Sequence, residues 1–363
     1  MTSCSTLSTK AVIDLSACRH NLSVAKKAAP DSKCIAIIKA NAYGHGMVEI
    51  AKALTEADAF GVARIEEAII LREAGIPASI LLLEGFNSEK ELRLVRQHNI
   101  DSVIHNENQL QLLEQSEGDE IKVCLKIDSG MHRLGFNPDN IQTISQRLEK
   151  CNGINQAVTY MTHFANADDK HDDKTLKQLD VFYNSIESLS SKEISIANSA
   201  GILGWPQSHA EWNRPGILLY GVSPFVKGKA DDHNLKPVMT LSSHLIEVKK
   251  VNKGEAIGYG GTYICNKEMT IGIVAIGYGD GYPRHAKTGT PVLVNGKRAK
   301  LLGRVSMDMI CVDLNQHDSA QVNDPVVLWG EGLPVEEIAE SADTIAYELL
   351  CSVTSRVEFS YIG

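Results

Sequence analysis

At 363 residues the chain is long for one domain, and two are the first expectation. With 43% hydrophobic and 22% charged residues it reads as ordinary globular material, and a net charge of -9 argues against nucleic acid and anionic membrane as main partners. No apolar run approaches the ~20 residues of a membrane span, and eight scattered cysteines without a C-x-x-C pair point to reduced thiols in a cytoplasm and to no metal site.

The opening "MTSCSTLSTKAVIDLSACRHN" lacks the basic region and apolar core of a signal peptide. Within residues 1–15, "AVIDL" fits a strand of either domain. From residue 34 short apolar runs alternate with amphipathic stretches. The runs are "CIAIIKA", "AFGVAR", "ASILLLEG", "IDSVIHN", "IKVCLKIDSG", "AVTYMTHF", "ISIANSAG" and "NRPGILLYG". Between them "SEKELRLVRQHN" puts Leu92, Leu94 and Val95 on one helical side. "NENQLQLLEQS" opens with Asn106 as a candidate N-cap. Eight such units fit an α/β fold of the (β/α)₈ TIM-barrel type, with an open doubly wound sheet as the alternative. Polar residues at or near the strand ends are Lys39, Arg64, Glu84, His105, Lys126, His163, Asn198 and Arg214, a ring expected of a barrel mouth.

Past residue 235 helical spacing gives way to strand alternation. "VNGKR", with Asn295-Gly296 between apolar runs, is a hairpin signal, and only "PVEEIAESA" looks helical. The expected organisation is a barrel over 1–236 followed by a mostly β domain over 237–363.

The candidate sites begin with "CIAIIKANAYGHG". A buried strand ending in Lys39 is read either as a snorkelling lysine or as an amine held for covalent chemistry with a carbonyl. "NADDKHDDK" gathers four Asp and one His in one stretch, but acidic residues at a helix start satisfy the macrodipole without a metal. "GYGDGYP" and "GYGGT" are not followed by helical periodicity, so neither supports a dinucleotide fold. "IANSAG" and "RPGILLYG", at the seventh and eighth strand ends, suggest a phosphate site. A lysine at the first strand end facing a phosphate site suggests pyridoxal phosphate.

"IIKANAYGHG" resembles the cofactor-attachment motif of bacterial alanine racemases. The resemblance continues in order through "LKIDSGMHRLGF", "MTHFANAD", "IANSAG", "NRPGILLYG", "IGYGGTY", "AIGYGDGYPR", "GRVSMDM" and "YELLCSVTSRV". It implies a fold type III enzyme interconverting L- and D-alanine, supplying D-alanine for peptidoglycan, with pyridoxal 5'-phosphate on Lys39 as a Schiff base. Tyr43, Ser199, Gly216 and Ile217 would hold the phosphate. Arg214 would donate to the pyridine nitrogen, which keeps that nitrogen unprotonated and disfavours transamination. Lys39 would serve one face of Cα and Tyr259 the other, with His163 linking the phenol to Arg214. Arg133 and the N–H of Met307 would hold the substrate carboxylate, and Tyr278 and Asp308 would lie at the pocket mouth. Lys126 matches a lysine carbamylated in many relatives, which would orient Arg133; the alternative is an ordinary lysine beside Asp128. Tyr259, Tyr278 and Met307 would come from a partner subunit, so the resemblance implies a homodimer with shared sites. Ser355 departs from the family, where many relatives carry a tyrosine that approaches the phosphate. Rival readings are a broader racemase acting on serine or lysine, a decarboxylase of the same fold, a non-catalytic cofactor carrier and a purely binding barrel.

Overall fold

The computed structural model describes residues 9–154, 158–189 and 193–363. Residues 1–8, with Cys4 and the start of the opening segment, lie outside them, as does the first residue of "AVTYMTHF".

Eight parallel strands close into a barrel in chain order. They are β2 (Lys33–Ile37), β3 (Ala59–Val62), β4 (Ser79–Leu82), β5 (Asp101–Ile104), β6 (Val123–Lys126), β7 (Thr159–Met161), β8 (Glu193–Ser195) and β9 (Trp212–Asn213). β9 returns to β2 through Lys33↔Trp212 and Cys34↔Asn213. Alternation along each strand separates two apolar sets. Ile35, Ile37, Ala59, Leu81, Val103 and Met161 fill the barrel interior, whereas Cys34 and Ala36 join the core beneath the helices. Both faces are therefore apolar, as parallel strands covered by helices require. Asn106 does cap its helix, Glu107–Glu114, accepting from Gln109 N at 2.9 Å.

Two apolar runs are shorter as strands than their sequence suggests. β8 stops at Ser195, and Ser199 opens the helix Ser199–Gly204, capped by Asn198. β9 has two residues, and "ILLY" is a 3₁₀ turn, Ile217–Tyr220. Pro215 offers no N–H to a ladder, and Gly216, at φ -121° and ψ -96°, turns the chain out of the sheet.

The second sheet contains β10 (Met239–Val251), β13 (Met269–Val274), β14 (Pro291–Val294), β15 (Lys297–Leu302), β16 (Ile310–Asp313), β17 (Pro325–Trp329) and β18 (Glu358–Ile362). A two-stranded ribbon, β11 (Ala256–Ile257) with β12 (Tyr263–Ile264), projects beside it. Asn295 and Gly296 join β14 to β15 with φ of 51° and 75°, the left-handed pair of a two-residue hairpin. "AVIDL" belongs here too: β1 (Lys10–Asp14) runs antiparallel to β10 and parallel to β18. Besides the expected helix Val335–Ser341 there is a second of the same length, Ala346–Ser352.

Candidate active site

The site is built on the turn that follows β2. The strand ends at Ile37 rather than at Lys39, and Lys39 stands at the head of a backbone turn of unusual hand. Ala40, Asn41, Ala42 and Tyr43 all have φ between 51° and 55°. Left-handed geometry costs L-residues roughly 1–2 kcal/mol each, so four in succession persist only if their surroundings hold them. Met47 N donates to Asn41 Oδ1 at 2.9 Å, and Ala42 N donates to Ile38 O at 2.8 Å. His45 Nδ1 lies 3.0 Å from Ala42 O and 2.9 Å from Tyr43 O. Facing two carbonyls, Nδ1 must carry the ring proton. Burial lowers the His45 pKa to about 4, and Nε2 is buried without a hydrogen-bond partner among the described residues. The Tyr220 hydroxyl donates to Ile37 O at 2.8 Å, and its ring stacks 4.7 Å from Tyr43.

Lys39 opens onto a cavity of about 1520 Å³ at the C-terminal ends of the barrel strands. Lys126, Arg133, His163, Tyr43, Ser199, Arg214, Gly216 and Ile217 line it with Lys39, so nine of the expected residues converge in one chain. Ser199 Oγ accepts from Gly216 N at 2.8 Å and from Leu218 N at 3.4 Å. Gly216 lies close against Tyr43: a Cβ there would stand 2.9 Å from the hydroxyl oxygen and would push the tyrosine tip aside. Arg214 is buried, and its side-chain acceptors among the described residues are neutral. It donates to Ser195 Oγ at 2.5 Å, Thr162 O at 2.6 Å and Ile196 O at 3.0 Å.

Positive charge accumulates around this cavity. Burial, then Arg214, Arg133 and Lys39, lower the Lys126 pKa to about 8, against a weaker opposing pull from Asp128. Burial and the same cations, Lys126 included, hold His163 well below the ordinary histidine range. Burial brings Arg214 down to about 10. Anions are the complement of such a cluster.

Tyr259, Tyr278, Met307 and Asp308 do not line the cavity. All four belong to the second domain, where Tyr278 N donates to Ser306 O and Gly279 N to Met307 O at 3.0 and 2.8 Å, joining the Tyr278 and Met307 segments. Arg356 Nη2 holds Asp308 Oδ1 at 2.9 Å. Tyr259 is 70% exposed and Met307 52%, unusual for side chains of this size in an isolated fold. Ser355 is exposed and does not line the cavity, although Cys351, four residues earlier, does. His45, Tyr220 and Tyr347 were not singled out from the sequence. Tyr220 is hidden in an apolar run, and the Tyr347 ring, 6.0 Å from Tyr43, comes from the helix the sequence did not reveal.

The family model described as alanine racemase, N-terminal domain, matches residues 13–224, and that described as alanine racemase, C-terminal domain, matches 238–361. The chain belongs to the alanine racemase family. The alanine racemase of Vibrio cholerae serotype O1 is 51% identical over 97% of this chain and 98% of its own length. The crystal structure of biosynthetic alanine racemase from Pseudomonas aeruginosa superposes with a TM-score of 0.95, at 45% identity, covering 98% of this chain and 99% of that one. That of alanine racemase from Bartonella henselae with covalently bound pyridoxal phosphate gives 0.87 at 29% identity, covering 98% and 99%. Among the described residues no helix is long and apolar enough to cross a membrane.

Proposed function

We propose that the chain interconverts L- and D-alanine with pyridoxal 5'-phosphate attached to Lys39, as a cytoplasmic homodimer that supplies D-alanine for peptidoglycan. The observation that carries this reading is the meeting of Lys39, Arg214 and the Tyr43–Ser199–Gly216 cradle in one cation-rich cavity. The residues fit the cofactor. The Tyr43 and Ser199 hydroxyls flank Gly216, and hydroxyls gathered with backbone N–H groups suit a phosphate, with Ile217 N–H beside them. Arg214, whose acceptors among the described residues are neutral, keeps its proton and offers a donor to an unprotonated ring nitrogen.

Bound there, the cofactor supplies the electron withdrawal that acidifies the substrate's Cα–H. The chain's residues do the rest. Arg133 and Met307 N–H fix the substrate carboxylate, so that Cα presents one face to each base. Lys39 Nζ takes or returns the proton on one face. Tyr259 of the second subunit serves the other, with His163 as hydrogen-bond donor to its phenol. Lys126, poised near neutrality, is a candidate for carbamylation, which would set an anion beside Arg133. Tyr278 and Asp308 would stand at the mouth once the second subunit is in place. Two features support the shared site: the exposure of Tyr259 and Met307, and a cavity larger than the roughly 300–1,000 Å³ usual for small ligands. The domain division proposed is 1–236 and 237–363, with β1 added to the second sheet.

The test is to incubate the purified protein with L-alanine, L-serine and L-lysine in D₂O and follow circular dichroism and Cα-deuterium incorporation. Alanine should racemise fastest. Preferred racemisation of serine or lysine, or carbon dioxide release, would replace this reading with one of its rivals.

A further inference from the structure

The left-handed turn that carries Lys39 is tied to a neighbouring segment through one of its backbone donors. The N–H of Ala40, the residue directly after the lysine, is taken from outside: it donates to Glu67 Oε1 at 2.7 Å. Glu67 belongs to the helix Ile65–Glu73, which follows the next barrel strand. Its other oxygen, Oε2, accepts from Ala63 N at 2.8 Å and Arg64 N at 3.2 Å, at the mouth end of β3. One half-buried carboxylate therefore bridges the start of the Lys39 turn to the adjacent strand end. Ile38 N also donates to Gly61 O at 2.9 Å, so the chain on either side of Lys39 is anchored to the same neighbouring segment.

We infer that Glu67 is a positioning residue for the cofactor lysine, fixing the Lys39 backbone by clamping Ala40 N to the end of β3. This rests on the reading of Lys39 given above. The chemistry requires a carboxylate, because all three ligated groups are donors and both oxygens accept. A glutamine has one oxygen and one NH₂. Whichever way it flips, its NH₂ faces either Ala40 N–H or the Ala63 and Arg64 N–H pair, donor against donor. The alternative role is a simple helix cap, since the Arg64 N contact closes the first turn of Ile65–Glu73. A cap alone would affect stability and leave the lysine's reactivity untouched.

The test uses the full-length protein supplied with pyridoxal phosphate. Borohydride is added at timed intervals across a pH series, and the labelled lysine is located and quantified by peptide mapping. Glu67→Gln is compared with wild type and with Ser88→Ala, which removes a helix cap of similar kind on the next helix without touching the Lys39 turn. Folding is verified by circular dichroism. Wild type should be labelled at Lys39. Glu67→Gln should label it roughly tenfold more slowly, the scale of effect expected when a reacting group is misplaced by a fraction of an ångström. Ser88→Ala should match wild type in rate. Labelling of a different lysine in wild type would overturn the reading of Lys39 itself. Labelling of Lys39 at the wild-type rate in folded Glu67→Gln would overturn the positioning role alone. Should Glu67→Gln fail to fold, Glu67→Ala takes its place, since water can reach the freed N–H groups at this half-buried position. It should show the same slowing, together with faster hydrogen exchange at the Ala40 amide, and a wild-type rate there overturns the inference equally.

Discussion

Arg214 Nη2 stands 3.4 Å from Nδ1 of His163. A guanidinium only donates, so Nδ1 must accept, and the imidazole proton is left on Nε2. Burial and four surrounding cations keep that ring neutral. The pair therefore presents an N–H donor at its far end, the polarity needed to stabilise a phenolate. Replacing His163 with Phe removes the donor. The partial reaction served by the second base, Cα-deuterium washout from L-alanine, should therefore slow by about 10- to 100-fold relative to washout from D-alanine. Equal slowing of the two would separate His163 from the second base.

The proposed function puts Lys39 and Tyr259 on opposite faces of Cα and, in the proposed homodimer, on different chains. Lys39→Ala and Tyr259→Phe should each lose about 10²- to 10⁴-fold in racemisation. Mixing the two inactive proteins should restore activity, because one site of a mixed dimer collects both defects and the other neither. With Tyr259→Phe alone, Cα-deuterium washout from L-alanine should vanish while that from D-alanine partly survives. No recovery in a mixed dimer verified by mass spectrometry would rule out the shared site.

Lys126 is held near pH 8 in the folded chain against 10.5 for the free side chain. Between those values the unfolded chain binds more protons, so stability rises with pH across that window, and the full penalty of burying the ammonium applies below it. Lys126→Met should therefore raise stability at pH 7, by on the order of 3 kcal/mol at most, and the gain should fade as pH climbs toward 10.5. An amine with this pKa is also partly neutral at physiological pH and can add carbon dioxide. In ¹³C-bicarbonate, NMR should show one carbamate resonance in wild type that Lys126→Met lacks. A spectrum without it would leave Lys126 as an ordinary lysine beside Asp128.

His45 titrates at about 4 in the folded protein, against 6.5 for a free histidine. Protonating Nε2 would bury an N–H with no acceptor among the described residues. The unfolded chain gains its proton first as pH falls, so this group removes stability progressively from pH 6.5 down to 4, by about 3 kcal/mol in total. His45→Asn offers an amide N–H where Nδ1 now donates and does not titrate. Urea unfolding midpoints of the variant should therefore fall less steeply than wild type across that range. Parallel slopes would show that His45 is not the group responsible.

The barrel was legible because its strands are buried on both faces and separated by helices with a clear period. The same signal misled at Ile217–Tyr220, where an apolar run after Pro215-Gly216 coils instead of extending. The hairpin at Asn295-Gly296 announced itself because two positive φ angles demand those residue types. The turn at Ala40–Tyr43 was invisible for the converse reason: alanine and tyrosine give no hint of left-handed backbone, and the lone Asn41 does not foretell four such residues, which are held by Ile38, His45 and Met47 nearby and by Glu67 and Tyr220 farther along the chain. Lys39, Arg214 and Ser199 were readable from their motifs. Glu67 was not, since a glutamate in the first turn of a helix looks like any other N-terminal acid.

β1 lies between β10 and β18, and among the described residues β18 has no other neighbour in the sheet. Of the described strands, the one synthesised earliest must therefore wait for one synthesised some 350 residues later. During synthesis the barrel can close while Lys10–Asp14 still lacks both its partners, and the last five-residue strand completes a sheet begun some 350 residues earlier. Such a long-range pairing carries a high loop-closure entropy and forms late. Cutting the gene near residue 237 would not yield two clean modules. The downstream fragment would carry a gap between β10 and β18, with unpaired backbone on both sides of it. A peptide supplying residues 9–14 in trans is the piece that would fill that gap.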